Sequence, residues 1–347
     1  MIFEISLVSV SFIFLLLIIY FQKKFNFCID EVSKNEKHKF LLSLDNKVPL
    51  TGSFYFIPVI FFLTYRDNLS TFFVASLFLF IGLLSDLKLN SSPKLRLTIQ
   101  FIALLAFIFF NKNFIIDTRI IFFDKIFEYE FFRILIISFF FLVLINGYNF
   151  IDGANCLCSL NFLFILIFLY LVSKDIDALK FAELIKTLVL TLLVFILLNF
   201  FGKTFLGDSG VYVFSFFLGV LVIKLSLLNK GISPYFIANL LWYPAFENLF
   251  SISRRLLSKK KNYIADNLHL HQLLFIFLNK KKIIKTKYLL SSLTGILINL
   301  YFLIFYFIGY LDYSNTKLQL CLVLINTIIY LIIYIILRKK NNQSINI

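Results

Sequence analysis

The chain has 347 residues, of which 60% are hydrophobic, and its mean hydropathy is +0.91. A soluble domain does not need so much apolar surface, so we expect the lipid bilayer to be the solvent for most of this protein. The formal net charge is +15, but lysines beside membrane spans first set topology and contact anionic lipid. No soluble basic domain is apparent, so we expect membrane lipid as a partner and no nucleic acid.

Apolar runs of about 20 residues, long enough to cross a bilayer, recur along the chain. They predict an all-α polytopic membrane protein with about eleven transmembrane helices, or ten. The second and fourth runs are short, and the ninth contains Pro234 and Pro244. No basic residue precedes the first run and no small-residue cleavage site follows it, which indicates a retained span. The predicted spans are about 2–22, 50–65, 69–85, 95–111, 131–149, 154–173, 181–200, 210–228, 232–250, 288–310 and 317–337.

The distribution of lysine and arginine predicts the orientation. Odd-numbered connections and the C-terminus hold 23 of the 34 basic residues, so the N-terminus is expected outside and the C-terminus in the cytoplasm. We expect one integral membrane domain over residues 1–347. In its last long loop, the apolar stretch 268–278 precedes three lysines and predicts a short interfacial helix. The expected cytoplasmic loops are about 23–49, 86–94, 150–153, 201–209 and 251–287.

Four short polar islands interrupt the apolar chain, and all four fall in connections predicted to be cytoplasmic. Carboxylates, amides, histidines and cations are costly to keep together at one bilayer face. This pattern indicates a metal-assisted site for a phosphorylated substrate. In chain order, the islands are residues 85–86 with 92–96, 146–153, 205–210 and 266–272.

The second and third islands carry candidate metal ligands. Asp208 offers a hard carboxylate oxygen of the kind that magnesium prefers, while a helix start capped by Asp208 or Ser209 is an equal alternative. Asn146, Asn149 and Asp152 are spaced three apart and therefore share one helix face. The amide oxygen of Asn149 is suited to join Asp208 on a metal, and hydrogen bonding between helices is the alternative.

The first and fourth islands carry candidate groups for phosphate. Asp86 is suited to orient an acceptor or to ligate metal, and Lys94 and Arg96 are suited to hold a lipid phosphate. Ordinary snorkelling of the two cations is the alternative. His269 and His271 lack obvious partners for a zinc site. In this basic loop they fit better as donors to a pyrophosphate or a sugar hydroxyl.

Taken together, the polar motifs resemble those of the polyprenyl-phosphate N-acetylhexosamine-1-phosphate transferases of glycosyltransferase family 4. The bacterial undecaprenyl-phosphate GlcNAc-1-phosphate transferases are the most similar group. The resemblance runs from Lys37-His38 to His271. It rests on Pro49-Leu-Thr-Gly52, Asn146-x-x-Asn149-x-x-Asp152-Gly153, Phe205-x-Gly-Asp208, Pro244-x-x-Glu247, Arg254-Arg255 and His269-Leu-His271-Gln272.

The chain departs from the family pattern at four positions. Ser85 stands where relatives usually have the first of two aspartates, and Asn155 stands where they have the second Asp of Asp-Gly-x-Asp-Gly. Glu247 replaces the Asp of Pro-x-x-Asp, and Gln272 replaces the last His of His-x-His-His. Loss of the carboxylate at position 85 is the most serious departure, because the aspartate pair has been linked to metal binding and acceptor activation.

The resemblance implies transfer of a sugar 1-phosphate, GlcNAc or another N-acetylhexosamine, from a UDP-sugar to polyprenyl phosphate. UMP would be released, and a lipid-linked cell-envelope glycan would begin. It also implies a magnesium cofactor, with manganese as an alternative. The protein would lie in the bacterial inner membrane with its site facing the cytoplasm, and a homodimer is one oligomeric state that the resemblance allows. The implied catalytic residues are Asp86, Asp152 and Asp208, and the implied metal ligands are Asp208 and Asn149. The implied substrate-binding residues are Lys94, Asn155, Arg254, Arg255, His269 and His271.

Three alternatives stay open. Ser85 and Gln272 motivate a catalytically impaired relative that binds lipid-linked sugar or scaffolds polysaccharide assembly. Transfer of a peptidoglycan precursor is the nearest enzymatic competitor. A transporter or channel is disfavoured, because its polar residues should lie near the membrane midplane on several spans. The sequence does not identify the sugar or the downstream polymer.

Overall fold

The computed structural model describes residues 2–30, 47–64, 69–89, 92–111, 114, 117–257 and 268–342. These residues form fourteen α-helices and one short antiparallel strand pair, so the predicted all-α class is confirmed. The strands are β1 (Ile29–Asp30) and β2 (Val48–Pro49). The helices are α1 (Ile2–Phe25), α2 (Gly52–Thr64), α3 (Leu69–Asp86), α4 (Pro93–Phe110), α5 (Ile121–Glu128), α6 (Glu130–Ile151), α7 (Leu157–Asp175), α8 (Leu179–Phe200), α9 (Gly207–Leu228), α10 (Pro234–Leu240), α11 (Trp242–Leu257), α12 (Leu270–Lys280), α13 (Lys287–Leu311) and α14 (Thr316–Asn342).

Nine helices in the described part of the chain are long and apolar enough to cross a membrane: α1, α3, α4, α6, α7, α8, α9, α13 and α14. The second predicted span forms the shorter α2, which has 13 residues. The ninth predicted span, 232–250, is divided instead of continuous, because α10 ends at Leu240 and α11 begins at Trp242. Each proline lies in the first turn of its own helix, where a missing N–H costs little. The exact number of spans and the orientation of the termini stay predictions.

Connections that were predicted to lie on the same side of the membrane contact one another in the structure. The Arg119 guanidinium donates hydrogen bonds to the carbonyl oxygens of Lys230, Gly231 and Ser314, which joins three even-numbered connections. The odd-numbered connections meet at the other end of the bundle, where backbone and side chains of residues 86, 153, 208 and 271 approach one another. The polar islands therefore share one end of the bundle, as far as the described residues extend.

Helix α9 is the central element that positions these islands. It is the most buried of the long apolar helices and packs against α2, α3 and α6. Gly82 on α3 lies so close to α9 that a Cβ at this position would stand 2.2 Å from the Ser209 Cα. The loop before α9 is held to β2, because the Phe205 N–H donates to the Pro49 carbonyl at 3.0 Å. The first turn of α9 is thus fixed beside the end of α3.

The predicted helix of the last long loop forms as α12, against α13 and α14. Its first turn is buried, including His271 and Gln272. The remaining part of the fourth island, at Asp266, and the Lys37-His38 motif lie outside the described residues. The location of α12 at a membrane interface stays a prediction.

Candidate active site

Asp86 accepts hydrogen bonds from the N-terminus of α9. Its Oδ1 accepts from the Asp208 N–H at 2.8 Å, and its Oδ2 accepts from the Ser209 N–H at 3.1 Å and from the Ser209 Oγ at 2.5 Å. The first N–H groups of a helix have no partner within that helix, and a carboxylate at this end is also favoured by the helix dipole. Asp86 therefore caps α9 from a neighbouring helix and fixes the residue that follows Gly207.

The Asp208 carboxylate belongs to a small charged cluster. Arg96 forms an ion pair with it, with 2.6 Å between Nη1 and Oδ2, and the Ser85 hydroxyl donates to the same oxygen at 2.5 Å. The Arg96 guanidinium also donates to the Ser85 Oγ and to the Tyr212 hydroxyl. The contacts of Arg96 and Ser85 with Asp208 both use its Oδ2. In place of a second aspartate at position 85, the cluster thus holds one carboxylate, one guanidinium and a hydroxyl.

Asp152 directly follows α6 and lies near other carboxylates. Burial raises the pKa of Asp152 to about 8, and the negative charges of Asp208, Asp86 and Asp30 add to this shift. Asp30, at the end of β1, is a member of this acidic group that sequence reasoning did not identify. It carries no motif, and only the pairing of β1 with β2 brings it to the site. The result is a concentration of negative charge that a cation would relieve.

This raised pKa predicts a pH-dependent stability gain for Asp152→Asn. Between the unfolded pKa of about 3.9 and the folded pKa of about 8, folding takes up a proton, so stability falls as pH rises through this window. Asparagine does not titrate, so the substitution removes the free-energy cost of ionising the buried Asp152 carboxyl group. We expect a gain of about 1–3 kcal/mol near pH 8 without divalent cations, and a smaller gain near pH 5. Thermal melting across this range measures it. An equal gain at both pH values, or the same trend in the exposed control Glu128→Gln, would contradict the assignment.

A cavity of about 550 Å³ opens beside the Arg96 cluster, between α4, α6 and α11. One part of its wall is polar, and the other is apolar and reaches exposed side chains such as Phe139, Leu249 and Ile252. A groove with a cationic end and an apolar wall suits a molecule with an anionic head and a hydrocarbon tail. The polar lining residues are Arg96, Asn146, Asn149, Tyr212, Asn248 and Arg255.

The two histidines lie together at the start of α12. The His269 and His271 rings are stacked with centroids 5.7 Å apart, and the Nδ1 of His269 lies 2.9 Å from the Glu247 Oε1. His271 contacts the second island, because a Cβ on Gly153 would stand 2.2 Å from its Nε2. Burial lowers the pKa of His271 to about 3, and the positive charge of His269 adds to this effect. His271 is therefore a neutral ring at physiological pH.

The other predicted binding residues lie in different surroundings. Arg255 lines the cavity and stacks on Phe150, whereas Arg254 donates to the Leu268 carbonyl and to the Tyr334 hydroxyl. Asn155 is buried and donates its side-chain amide to the Tyr288 carbonyl on α13 at 3.4 Å. Lys94 is exposed in the first turn of α4. The roles of these residues in binding stay predictions.

The residues present fit a hard divalent cation. Asp208 keeps Oδ1 outside the hydrogen bonds of the cluster. Asn149 offers an amide oxygen in the cavity that Arg96, the partner of Asp208, also lines. No set of three His, Cys, Asp or Glu side chains in the described residues is arranged to hold a metal by itself. Magnesium is often held by one or two carboxylates with substrate phosphates. Such a site would be completed by the substrate.

Parts of the chain are similar to known transferases. Residues 68–226 match the family model of glycosyl transferase family 4. An undecaprenyl-phosphate alpha-N-acetylglucosaminyl 1-phosphate transferase of Thermotoga maritima is 28% identical over 263 residues, which cover 74% of this chain and 79% of that protein. The predicted resemblance to glycosyl transferase family 4 is confirmed. The matched segment contains Asp86, Asp152, Asp208 and Arg96, while Asp30, Glu247 and the two histidines at the start of α12 lie outside it. These similarities support a membrane-bound transferase.

Proposed function

We propose that this protein transfers a sugar 1-phosphate from a UDP-sugar to polyprenyl phosphate and releases UMP. The observation that carries the proposal is the cavity, which joins a cationic end beside Asp208 to an apolar wall. That shape fits an anionic head on a long hydrocarbon tail. The family match and the Thermotoga relative, named for undecaprenyl phosphate and N-acetylglucosamine, support the same substrates. GlcNAc or a related N-acetylhexosamine is the donor sugar that we propose, with the site on the cytoplasmic side of a bacterial inner membrane.

In the proposed reaction, an oxygen of the lipid phosphate attacks the β-phosphorus of the UDP-sugar. The bond between that phosphorus and the bridging oxygen breaks, and UMP leaves with the electron pair. A phosphate monoester is already anionic near neutral pH, so a strong general base is not required. Most of the rate then comes from holding two anionic substrates together in one orientation.

Each residue of the cluster has a role that follows from its contacts. Arg96 lines the cavity, and its Nε is buried without a hydrogen-bond partner in the described residues, so it keeps a donor for the lipid phosphate. Asp86 fixes the first turn of α9 and thereby orients Asp208. Asp152 holds a proton near neutral pH and is suited to donate a hydrogen bond to a phosphate oxygen.

Asp208 and Asn149 are the residues that we propose to hold a magnesium ion. When bound, the ion would neutralise charge that develops on the pyrophosphate. Phe150 lines the cavity and contacts both Arg255 and the His269 ring. These two side chains are therefore close to the cavity and are suited to hold the anionic nucleotide.

Narrowing the groove tests the lipid site. We expect Ile252→Trp to raise the KM for polyprenyl phosphate by about tenfold, roughly 1.4 kcal/mol, with a smaller change in the KM for the UDP-sugar. Leu256→Trp is the matched control, since Leu256 lies one turn further along α11, is exposed and does not line the cavity. Initial-rate measurements in detergent give both constants. Equal effects of the two substitutions would remove the groove from the proposal.

Ser85 supports a second candidate, the catalytically impaired relative. This reading predicts that Ser85→Asp raises activity sharply, because it supplies the second carboxylate of the usual pair. The transferase reading predicts a change within about threefold, roughly 0.7 kcal/mol. In that reading the Ser85 hydroxyl and Arg96 already satisfy Asp208. Rates of the wild type and the variant under identical lipid and metal concentrations decide between the two.

A further inference from the structure

A second cavity, of about 390 Å³, opens at the end of the bundle opposite the candidate active site. Its volume is within the range of ligand pockets, roughly 300–1,000 Å³. Most of its wall is apolar and belongs to α6, α9 and α10, and its polar rim belongs to the connections that precede α5 and α10. The proposed reaction uses no residue of this second cavity, which therefore needs its own explanation.

The second cavity is a gap between two packed parts of the bundle. Helix α10 packs mainly against α13 and α14, whereas α6 and α9 pack against each other. The cavity is lined by Ile237 of α10, Phe140 of α6 and Val222 of α9. Apolar side chains beside an unfilled gap lack van der Waals contacts on one side. An apolar occupant would supply these contacts and would connect α10 to α6 and α9.

Two cations without an ionic partner lie at the rim of the second cavity. Arg119 and Lys230 are exposed side chains that line it, and within the described residues neither forms an ion pair. In this part of the chain the Arg119 guanidinium donates to neutral acceptors, which are the carbonyl oxygens of Lys230, Gly231 and Ser314 and the Thr316 hydroxyl, at 2.7–3.1 Å. These hydrogen bonds fix the guanidinium in position and leave its positive charge uncompensated.

Membrane topology does not explain these two cations. Lysine and arginine concentrate in cytoplasmic connections, whereas Arg119 and Lys230 lie in connections that we predict on the opposite side. Snorkelling accounts for an exposed long side chain, but not for a guanidinium that four hydrogen bonds hold at the mouth of an apolar cavity. A cationic rim beside an apolar wall suits an amphiphile with an anionic head and a hydrocarbon chain.

Asp117, which also lies at the rim, restricts the chemistry of that head. Its Oδ1 accepts a hydrogen bond from the Arg119 N–H at 2.8 Å, while no described residue donates to its Oδ2. Two cations and one carboxylate give the rim a net charge of +1. A phosphodiester, with one negative charge, matches this rim better than a phosphate monoester, which carries about −1.5 to −2 charges near pH 7. A phosphodiester head with hydroxyl groups would also supply a donor to Asp117.

We propose that the second cavity binds one molecule of an anionic phospholipid of the phosphatidylglycerol type. Its phosphodiester lies at Arg119 and Lys230, a glycerol hydroxyl donates to Asp117, and part of one acyl chain fills the gap between α6, α9 and α10. The lipid thereby supports α10, which leads directly into α11 and the first cavity. This site does not rest on the proposed function, since neither a UDP-sugar nor polyprenyl phosphate takes part in it.

Native mass spectrometry of the full chain in detergent tests the charged rim and identifies the occupant by its mass. Phosphatidylglycerol is titrated beside phosphatidylethanolamine and phosphatidylcholine with the same acyl chains. We expect one phosphatidylglycerol to bind at least about fivefold more tightly than either of the others, and Lys230→Gln to lower its affinity about fivefold. Lys317→Gln should leave the affinity unchanged, because Lys317 is an exposed cation at the same end of the bundle that does not line the cavity.

Two neighbouring leucines on α9 test the apolar wall. Leu227 lines the second cavity, whereas Leu228 does not, and both are exposed. A ligand that binds only the folded protein raises its melting temperature, so we expect added phosphatidylglycerol to do so. Leu227→Trp should abolish most of this increase and lower the affinity about tenfold, because the indole occupies the place of the acyl chain. Leu228→Trp should retain both.

Equal affinity for the three phospholipids would overturn the proposal, and so would equal effects of Lys230→Gln and Lys317→Gln. Equal effects of the two tryptophan substitutions would remove the acyl chain from the second cavity. Undecaprenyl phosphate, added as a competitor, should not displace the bound phosphatidylglycerol at equal concentration. Displacement would assign the second cavity to the polyprenyl lipid instead. If Leu227→Trp does not fold, Lys230→Gln decides, because it changes an exposed side chain.

Discussion

Replacing Asp208 by Asn is expected to lower the rate of sugar 1-phosphate transfer by about 1,000-fold, roughly 4 kcal/mol of transition-state stabilisation. The amide would keep the size of the carboxylate but lose the charge that pairs with Arg96 and that is suited to hold a divalent cation. The ion pair is partly exposed, with 17% and 30% of the two side chains accessible. The asparagine Oδ1 can still accept the hydrogen bonds of Arg96 and Ser85, so we expect the melting temperature to change little.

Asp312→Asn is the matched control for this substitution. Asp312 lies in the connection between α13 and α14, at the end of the bundle where Arg119 binds Ser314, and it accepts hydrogen bonds from Ser314 and Asn315. Its replacement should leave the transfer rate unchanged. A rate within about tenfold of wild type for Asp208→Asn would be too small a loss for a metal ligand and would place the chemistry elsewhere.

Asp86→Asn is expected to lower both the rate and the stability. Asp86 accepts three hydrogen bonds, from the N–H groups of Asp208 and Ser209 and from the Ser209 hydroxyl. An amide group in this place turns one acceptor oxygen into a donor that faces other donors. We expect a loss of about 1–3 kcal/mol, a melting temperature lower by roughly 5 °C, and a transfer rate lower by at least about 100-fold as the first turn of α9 loses its cap.

The pair of substitutions separates two roles. If Asp86 acts mainly by fixing α9, the loss of rate accompanies a loss of stability, whereas Asp208→Asn changes only the rate. A normal melting temperature for Asp86→Asn, together with a large loss of rate, would instead make Asp86 a group that contacts substrate. Rate and melting temperature measured on the same preparations give both answers.

Much of the helical framework could be predicted from the sequence, because a bilayer demands long apolar segments and hydropathy is a local property. We could also predict that the four polar islands share one end of the bundle, because successive connections between spans alternate between the two sides of the membrane. The division of the ninth span could not be predicted, since prolines within an apolar run are compatible with either a kinked helix or two helices. In the structure, Pro244 instead lies in the first turn of a second helix.

The pairings within the site were harder to predict. Arg96 has the position of an ordinary snorkelling cation in the first turns of α4, and only the packing of α3 and α4 near α9 directs it to Asp208. The sequence shows that position 247 has a carboxylate, but it does not indicate the partner of that carboxylate. The partner, Tyr330, lies 83 residues further along the chain and belongs to no motif. Asp30 likewise reaches the acidic group through a strand pair of two residues. Such contacts depend on tertiary structure, which spacing along the chain does not encode.

The most direct test of the proposed transfer is UMP release by the purified protein in detergent with undecaprenyl phosphate, magnesium and a panel of UDP-N-acetylhexosamines. We predict release that requires the lipid and the metal, is restricted to one or few sugars, and is lost in Asp208→Asn. Folded protein that binds the lipid but releases no UMP with any sugar of the panel would contradict the transferase assignment.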